Sequence, residues 1–341
     1  MKRLLVVCAA SLLPCFLVSA QEADNSGRSV ELSVIPRLDL NPIFSMEKGG
    51  GGEFTLGNTS LYSLFEGNIT DNLSFSVCNH WAAFDSVQDV FDSTKQLYQS
   101  TFYSDNTNWL DWAYLTYSVG NFAFTLGKDM VTTGGLEFDD YDFEVHPSLV
   151  SSFWQNFACY QWGAKAAFTT PSESDTFSLQ FTTSPYGERP FASGLFNYSL
   201  EWRGEHGPLE TIWSATAVQT DRNMFFWLVN LGQRAELGDW TLGLDLSNAT
   251  MMEGDLAYGL TIMPSVAFTL SEKIDFFAKG GFETFLAKDD GFSDNTCWMA
   301  GAGMNWHPVE NLRLHALAAY NELWDCTSVS VGATYYLNFG K

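Results

Sequence analysis

Past its first 20 residues the chain has no uninterrupted apolar run of the roughly 18 to 20 residues that a membrane-crossing helix needs, which excludes a helical membrane protein. Basic residues are scarce. There are 17 against 40 acids, a formal net charge of −23, and so acidic a chain disfavours nucleic acid as a partner. Charged residues are few altogether, at 17%, while aromatics reach 16% and recur every few positions. A soluble β-sandwich shares that composition, but 341 residues is long for a single domain of that kind. The chain also lacks a nucleophile elbow and any HExxH-type metal pair. Its histidines, His80, His146, His206, His307 and His315, are scattered, so an enzyme is not expected, and neither is a cofactor or metal.

What is present begins with an export signal. MKRLLVVCAASLLPCFLVSA has a basic start at Lys2 and Arg3, an apolar run, and the small-residue ending Val18-Ser19-Ala20. Residues 1–20 therefore read as a signal peptide and 21–341 as the mature domain. Cleavage removes two bases and no acids, taking the formal charge from −23 to −25.

The mature chain alternates with period two. Val30, Leu32, Val34, Pro36, Leu38 and Leu40 share one face against Glu31, Ser33, Arg37 and Asp39. Phe196, Tyr198, Leu200 and Trp202 oppose Asn197, Ser199, Glu201 and Arg203, and the final strand repeats the pattern at Val329, Val331, Ala333, Tyr335, Leu337 and Phe339. Strands with one greasy and one polar face are what a membrane barrel with a wet interior requires. The expected fold is all-β: a transmembrane, antiparallel, up-and-down barrel of about sixteen strands. The first is placed at 29–41, the second at 53–69 and the last at 327–340. Short turns such as Gly120-Asn121 and Gly238-Asp239 alternate with long connections, with one short exception near 221–223. That asymmetry puts both termini on the periplasmic side. A barrel of this size encloses an aqueous channel. Inward Gly163, Ser178, Gly232, Gly301 and Gly303 argue against a plugged interior. Trp202, Trp240 and Trp306 at one set of strand ends, and Tyr160, Tyr258 and Trp298 at the other, are expected to form two lipid-facing girdles. Of the four cysteines left after cleavage, Cys297 and Cys326 fall near outer loops and are placed to pair or to remain free; Cys78 and Cys159 read as free thiols.

The longest loop, 132–157, lies third on the long side and overlaps the acid-rich stretch 127–146. Its acids, with the neighbouring Asp129, form the candidate constriction: Asp129, Glu137, Asp139, Asp140, Asp142 and Glu144. The facing basic wall is Arg37, Lys165, Arg203, Arg234, Lys279 and Arg313. An acidic loop opposite a basic wall would set up a transverse field, and the acid excess favours a weak cation preference. A solvated surface loop is the plainer reading of the same acids.

This arrangement resembles the trimeric Gram-negative porins, in which the third loop folds inward and narrows the pore. Gly127-Lys128 followed by Gly134-Gly135-Leu136-Glu137 resembles the pattern near the fifth strand of the O/P-type, phosphate-selective porins and their Bacteroidetes relatives. The resemblance implies passive diffusion of ions and small hydrophilic solutes across the bacterial outer membrane, contact with outer-membrane lipid and lipopolysaccharide, delivery by the barrel assembly machinery, and a homotrimer. The acidic loop departs from the basic constriction that phosphate would need. Alternative readings are an adhesin, receptor or anchor acting through the long loops, or a barrel hydrolase.

Overall fold

A computed structural model describes residues 28–45, 51–56, 59–83, 110–139, 144, 146–187, 191–249, 259–284, 296–323 and 325–340. Its strands form one closed antiparallel sheet of sixteen strands. We number them β1 (Ser29–Ser45), β2 (Gly52–Thr55 and Ser60–Thr70), β3 (Leu73–Ala83), β4 (Leu110–Val119), β5 (Phe122–Met130), β6 (Tyr160–Thr169), β7 (Asp175–Thr183) and β8 (Phe196–His206). The second half comprises β9 (Leu209–Asp221), β10 (Met224–Leu237), β11 (Trp240–Asn248), β12 (Leu260–Ser271), β13 (Ile274–Thr284), β14 (Thr296–Val309), β15 (Leu312–Asn321) and β16 (Cys326–Tyr335 and Leu337–Gly340). Each strand pairs with its sequence neighbours, and β1 closes the ring against β16, with Leu32 opposite Phe339 and Ile43 opposite Ser328. Closure leaves no unpaired edge, the condition for sheet structure in lipid.

Alternation decides which way each side chain points. On β7, Phe177, Leu179 and Phe181 are exposed on the outer surface while Ser178, Gln180 and Thr182 are buried inside. Leu179 is 58% exposed and Gln180 2%, so the greasy face is the outer one, the reverse of a soluble protein. The connections alternate short and long, and the reversal at Leu237–Trp240 uses Gly238 at φ 64°, backbone space that glycine enters without a steric penalty.

Several details differ from the sequence reading. β1 continues to Ser45, four residues further, because Ile43, Phe44 and Ser45 pair with Ser328, Thr327 and Cys326. The second strand divides into two paired segments rather than running unbroken. Tyr336 interrupts β16, its N–H donating to the Asn311 carbonyl. Trp240, Trp298 and Trp306 are exposed on the outer face, but Tyr160 packs against the inward Trp112 ring at 5.7 Å and so does not join a girdle. Tyr258 and the connection 85–107 lie outside the described residues. None of the four cysteines among the described residues is in a disulfide, so Cys297 and Cys326 do not pair; Cys297 instead sits buried beside Glu283, Sγ to Oε2 3.8 Å.

Candidate functional site: the loop between β5 and β6

The chain leaves β5 at Met130 and bends inward. Thr132 N–H donates to Gln180 Oε1 (2.7 Å), and the Gln180 amide donates back to the Met130 carbonyl (2.8 Å). The hydroxyls of Ser214 and Thr216 donate to the carbonyls of Thr133 and Thr132, and Asn230 Nδ2 donates to the Gly134 carbonyl (2.9 Å). Asp245 then accepts two backbone N–H groups, from Leu136 at 2.7 Å and Glu137 at 3.0 Å. Every one of these wall groups is on an inward-facing position of β7, β9, β10 or β11. Residues 131–138 are buried throughout.

Glycine permits this approach. Gly135 has φ 85°, and a Cβ there would lie 2.5 Å from the Asn230 amide. The inward glycines of the wall have the matching role. A Cβ on Gly232 would meet Gly135 Cα at 2.7 Å, and one on Gly301 would meet Leu149 at 2.8 Å. These two positions are small because the loop lies on them, not because the interior is vacant there.

The loop then reaches the opposite wall. Glu137 pairs with Lys279 of β13 at 2.8 Å and accepts Ser151 N–H at 3.1 Å, tying the outgoing leg to the returning one. Glu283 accepts the Ser152 hydroxyl at 2.8 Å. Leu149, in the 3-10 turn Pro147–Leu149, packs on Leu317, Ala319 and Phe277. The helix α1 (Ser152–Asn156) is capped by Ser151 Oγ, which accepts Trp154 N–H at 3.1 Å. Phe138, Phe153 and Phe157 pack together with Val131 and Val218, giving the two legs a small apolar core of their own.

The wall bases stand in contact with acids. Arg203 Nη1 meets Asp139 and its Nε meets Glu201 at 2.8 Å; Lys165 meets Asp129 at 2.7 Å, Arg234 meets Glu210 at 3.2 Å, and Arg37 meets Asp39 at 3.0 Å. Arg313 Nη2 donates to Thr334 Oγ1 at 3.4 Å. Asp129 lies on β5 itself, so it belongs to the wall and not to the loop. Lys279 with Glu137 and Arg203 with Asp139 are contacts between loop and wall, which leaves no open gap between those charges. Glu144 is exposed. Asp140 and Asp142 lie outside the described residues. Asp245 and Glu283 were not singled out in the sequence; the signal available was parity, which puts both on the inward face of their strands.

A Ser, His and Asp also meet inside. His315 Nε2 is 3.1 Å from Asp39 Oδ2, and Ser330 Oγ bonds Asp39 Oδ1 while lying 3.4 Å from the same His315 Nε2. A hydrolytic relay needs the carboxylate on one ring nitrogen and the hydroxyl on the other. Here both share Nε2, so this trio cannot pass a proton from serine to histidine with aspartate behind it.

No protein-family model matches the sequence, and a comparison with curated proteins finds no relative. Solved structures do match. The outer membrane channel DcaP of Acinetobacter baumannii superposes with TM-score 0.59 at 12% identity, over 92% of this chain and 99% of that one. The chain has the fold of the outer-membrane porins. OmpT, an outer-membrane protein of Vibrio cholerae solved in a trimer form, gives TM-score 0.58 at 13% identity, over 91% of this chain and 100% of the other. A mutant Rh. blastica porin gives 0.57 at 12%, over 90% and 100%. At such identities the shared property is the porin fold, a closed sixteen-strand barrel.

Proposed function

We propose that the protein is an outer-membrane porin, a water-filled channel for passive diffusion of ions and small hydrophilic solutes, with residues 131–157 as its constriction. The observation that carries this reading is the loop itself: a closed barrel whose polar inner face grips an inward-folded connection from two opposite walls. A barrel that served only as an anchor or adhesin would have no use for so many contacts beneath its rim. The signal peptide, outer-membrane residence, lipid and lipopolysaccharide contact and insertion by the barrel assembly machinery belong to the same reading, as does a homotrimer. The likeness to O/P-type porins rests on Gly127-Lys128 and Gly134 to Glu137. Phosphate selectivity is not part of the proposal, because five of the six wall bases, Arg37, Lys165, Arg203, Arg234 and Lys279, are engaged with acids.

The channel prefers cations weakly. Beyond the paired acids, Glu31 on β1 and Glu66 on β2 stand directly opposite each other across the strand pair, in a recess of about 460 Å³ lined also by Asn68, Ser74, Ser76 and Thr116. Ser76 donates to Glu66 at 2.7 Å. Two carboxylates in a channel mouth favour positive ions near them. The protein is not an enzyme on this reading.

The test is single-channel recording of refolded protein in a planar bilayer under a KCl gradient. Steady steps with a cation-shifted reversal potential are expected, and Asp139→Asn combined with Asp140→Asn and Asp142→Asn reduces the shift. A folded barrel without conductance overturns the channel; an unchanged ion ratio in the triple variant overturns the acidic constriction.

A further inference from the structure

The outer face carries a hollow that neither closure of the barrel nor conduction requires. Phe122 of β5, Phe168 of β6, Phe177 of β7, Trp202 of β8 and Trp213 of β9 stand opposite one another across successive strand pairs and form one ledge of rings. Its members touch: the centroids of Phe122 and Phe168 are 5.1 Å apart, and Trp213 meets Trp202 edge to face at 5.0 Å and 89°. One outward step along the strands, the same ladders set Ala166 opposite Leu179, Leu179 opposite Leu200, and Leu200 opposite Ala215. A further step on, the row is bulky again, with Phe181 and Tyr198 at 5.3 Å. The middle row is therefore low at both ends, and it lines, together with the ring ledge, a recess of about 560 Å³. Phe122, Phe168 and Phe177 lie next to short turns, so the ledge marks the short-turn edge of the apolar face.

Directly beneath the ledge the outward row changes character. Asp175 stands on the same face as Phe177, two residues nearer the turn, opposite Gly204 of β8, which in turn faces Thr211 of β9. Trp202 Nε1 donates to Asp175 Oδ1 at 2.8 Å, the Ser174 hydroxyl donates to Oδ2 at 2.9 Å, and His206 Nε2 lies 3.1 Å from Oδ1. The carboxylate is thus tied to the rim of the hollow by one of the rings that line it. Gly204 keeps the surface beside it low, since a Cβ there would lie 2.8 Å from Thr211 Oγ1 and 3.0 Å from the Trp202 ring. The surrounding turns, 120–121, 170–175, 204–209 and 238–239, hold Glu173, Asp175, Glu205 and Asp239 and no lysine or arginine. Arg203 and Arg234, the bases nearest to them in the chain, point inward and pair with Glu201 and Glu210.

We propose that this hollow binds one phospholipid whose head group carries a primary ammonium: an acyl chain lies in the recess over Ala166 and Ala215, and the ammonium meets Asp175 below the ring ledge. The site rests on the outer-membrane reading of the barrel but not on conduction. Chain and head have different parts in it. Bulk hydrocarbon is as apolar as the recess, so filling it gains nothing from the hydrophobic effect, and what holds a chain there is van der Waals contact with the floor and the bulky rows. Selection among lipids therefore falls to the head. A carboxylate offers about four acceptor positions; Trp202, His206 and Ser174 take three of them, two on Oδ1 and one on Oδ2, and the side chain keeps 21% of its surface open. An ammonium, with three donors on a compact charge, fits that remaining position on Oδ2. A head with a phosphate and no amine meets only the negative charge of the turns, which repels it.

The refolded protein is inserted into vesicles of phosphatidylethanolamine and phosphatidylglycerol at equal mole fraction, floated, extracted into mild detergent, and its retained lipids are counted by native mass spectrometry. The wild type is expected to keep one phosphatidylethanolamine about fivefold more often than phosphatidylglycerol. Ala166→Trp, which fills the floor, is expected to lose the retained lipid of either kind. Asp175→Asn, which keeps an acceptor for Trp202, is expected to retain a lipid and lose the preference. Equal retention of the two heads by the wild type, or an unchanged preference in Asp175→Asn, overturns the site, and so does undiminished retention by Ala166→Trp. Lipid-free oligomers of the wild type that Ala166→Trp converts to monomers overturn it in favour of an interface between copies of the chain. Protein that does not float with the vesicles overturns the membrane reading and the site together, whereas protein that floats and shows no lipid preference overturns the site alone. Should Ala166→Trp not fold to a heat-modifiable barrel, Ala215→Phe fills the other end of the floor and carries the same comparison.

Discussion

The wall from β7 to β11 and the wall from β13 to β15 hold the same loop by different means. At the first, side chains of Gln180, Ser214, Thr216, Asn230 and Asp245 answer main-chain groups of residues 130–137. At the second, rings and aliphatic groups join the polar contacts: His146 on Phe277 and His315 and Leu149 on Leu317 and Ala319, beside Glu137 with Lys279 and Ser152 with Glu283. Main-chain groups cannot be removed by substitution within the loop, so the first attachment is tolerant of loop sequence and exacting about the wall. The second depends more on the loop's own side chains. The first attachment is the root of the loop and the second its tip.

The strongest way to break this contrast is Asp245→Ala. It leaves the Leu136 and Glu137 N–H groups without their charged acceptor, at about 1.5–3 kcal/mol for each hydrogen bond. Hydrogen exchange over 131–138 is expected to rise more than a hundredfold, with the heat-modifiable barrel intact. Exchange at the wild-type rate would show that Asp245 is not what fixes the root. Leu149→Ala comes next, at about 2–3 kcal/mol for a deleted leucine side chain whose surroundings relax in part. Its effect is expected over 146–152 while 131–138 keeps its protection. Loss of protection in both segments would mean that root and tip come free together, and the contrast would fail. The smallest effect is expected from Glu210→Gln, which unpairs Arg234 where both side chains are about a third exposed, a pair worth under about 1 kcal/mol. It should change thermal stability little and exchange in the loop not at all.

The barrel was legible because membrane strands repeat one simple rule, and a residue such as Leu179 or Gln180 declares its side of the wall by parity alone. The loop's path was not legible in the same way. Its anchors are common polar residues, and nothing distinguishes Ser214 or Asn230 from any other inward serine or asparagine until the chain that they bond is in place. Gly232 and Gly301 illustrate the difficulty most clearly. As a pattern they read as room left for solute, whereas in three dimensions they are the contact points of the loop. Tyr160 failed for a related reason: parity places a side chain at a strand end, but a large ring there turns to the nearest partner, here Trp112. His146 and His315 lie far apart in sequence, and only the loop's return across the lumen brings them together.

The seam of the barrel has a consequence for how the protein is made. β1, near the start of the mature chain, pairs with β16 at its other end, Leu32 opposite Phe339, about three hundred positions apart. Until β16 arrives, β1 and β15 are two bare strand edges, each open to pairing with any other extended chain. Every earlier hairpin is local and closes on itself, but this last ladder waits for the whole polypeptide. The barrel therefore remains an unfinished sheet until its last strand is in place, and guarding those two edges until then is the task its folding imposes.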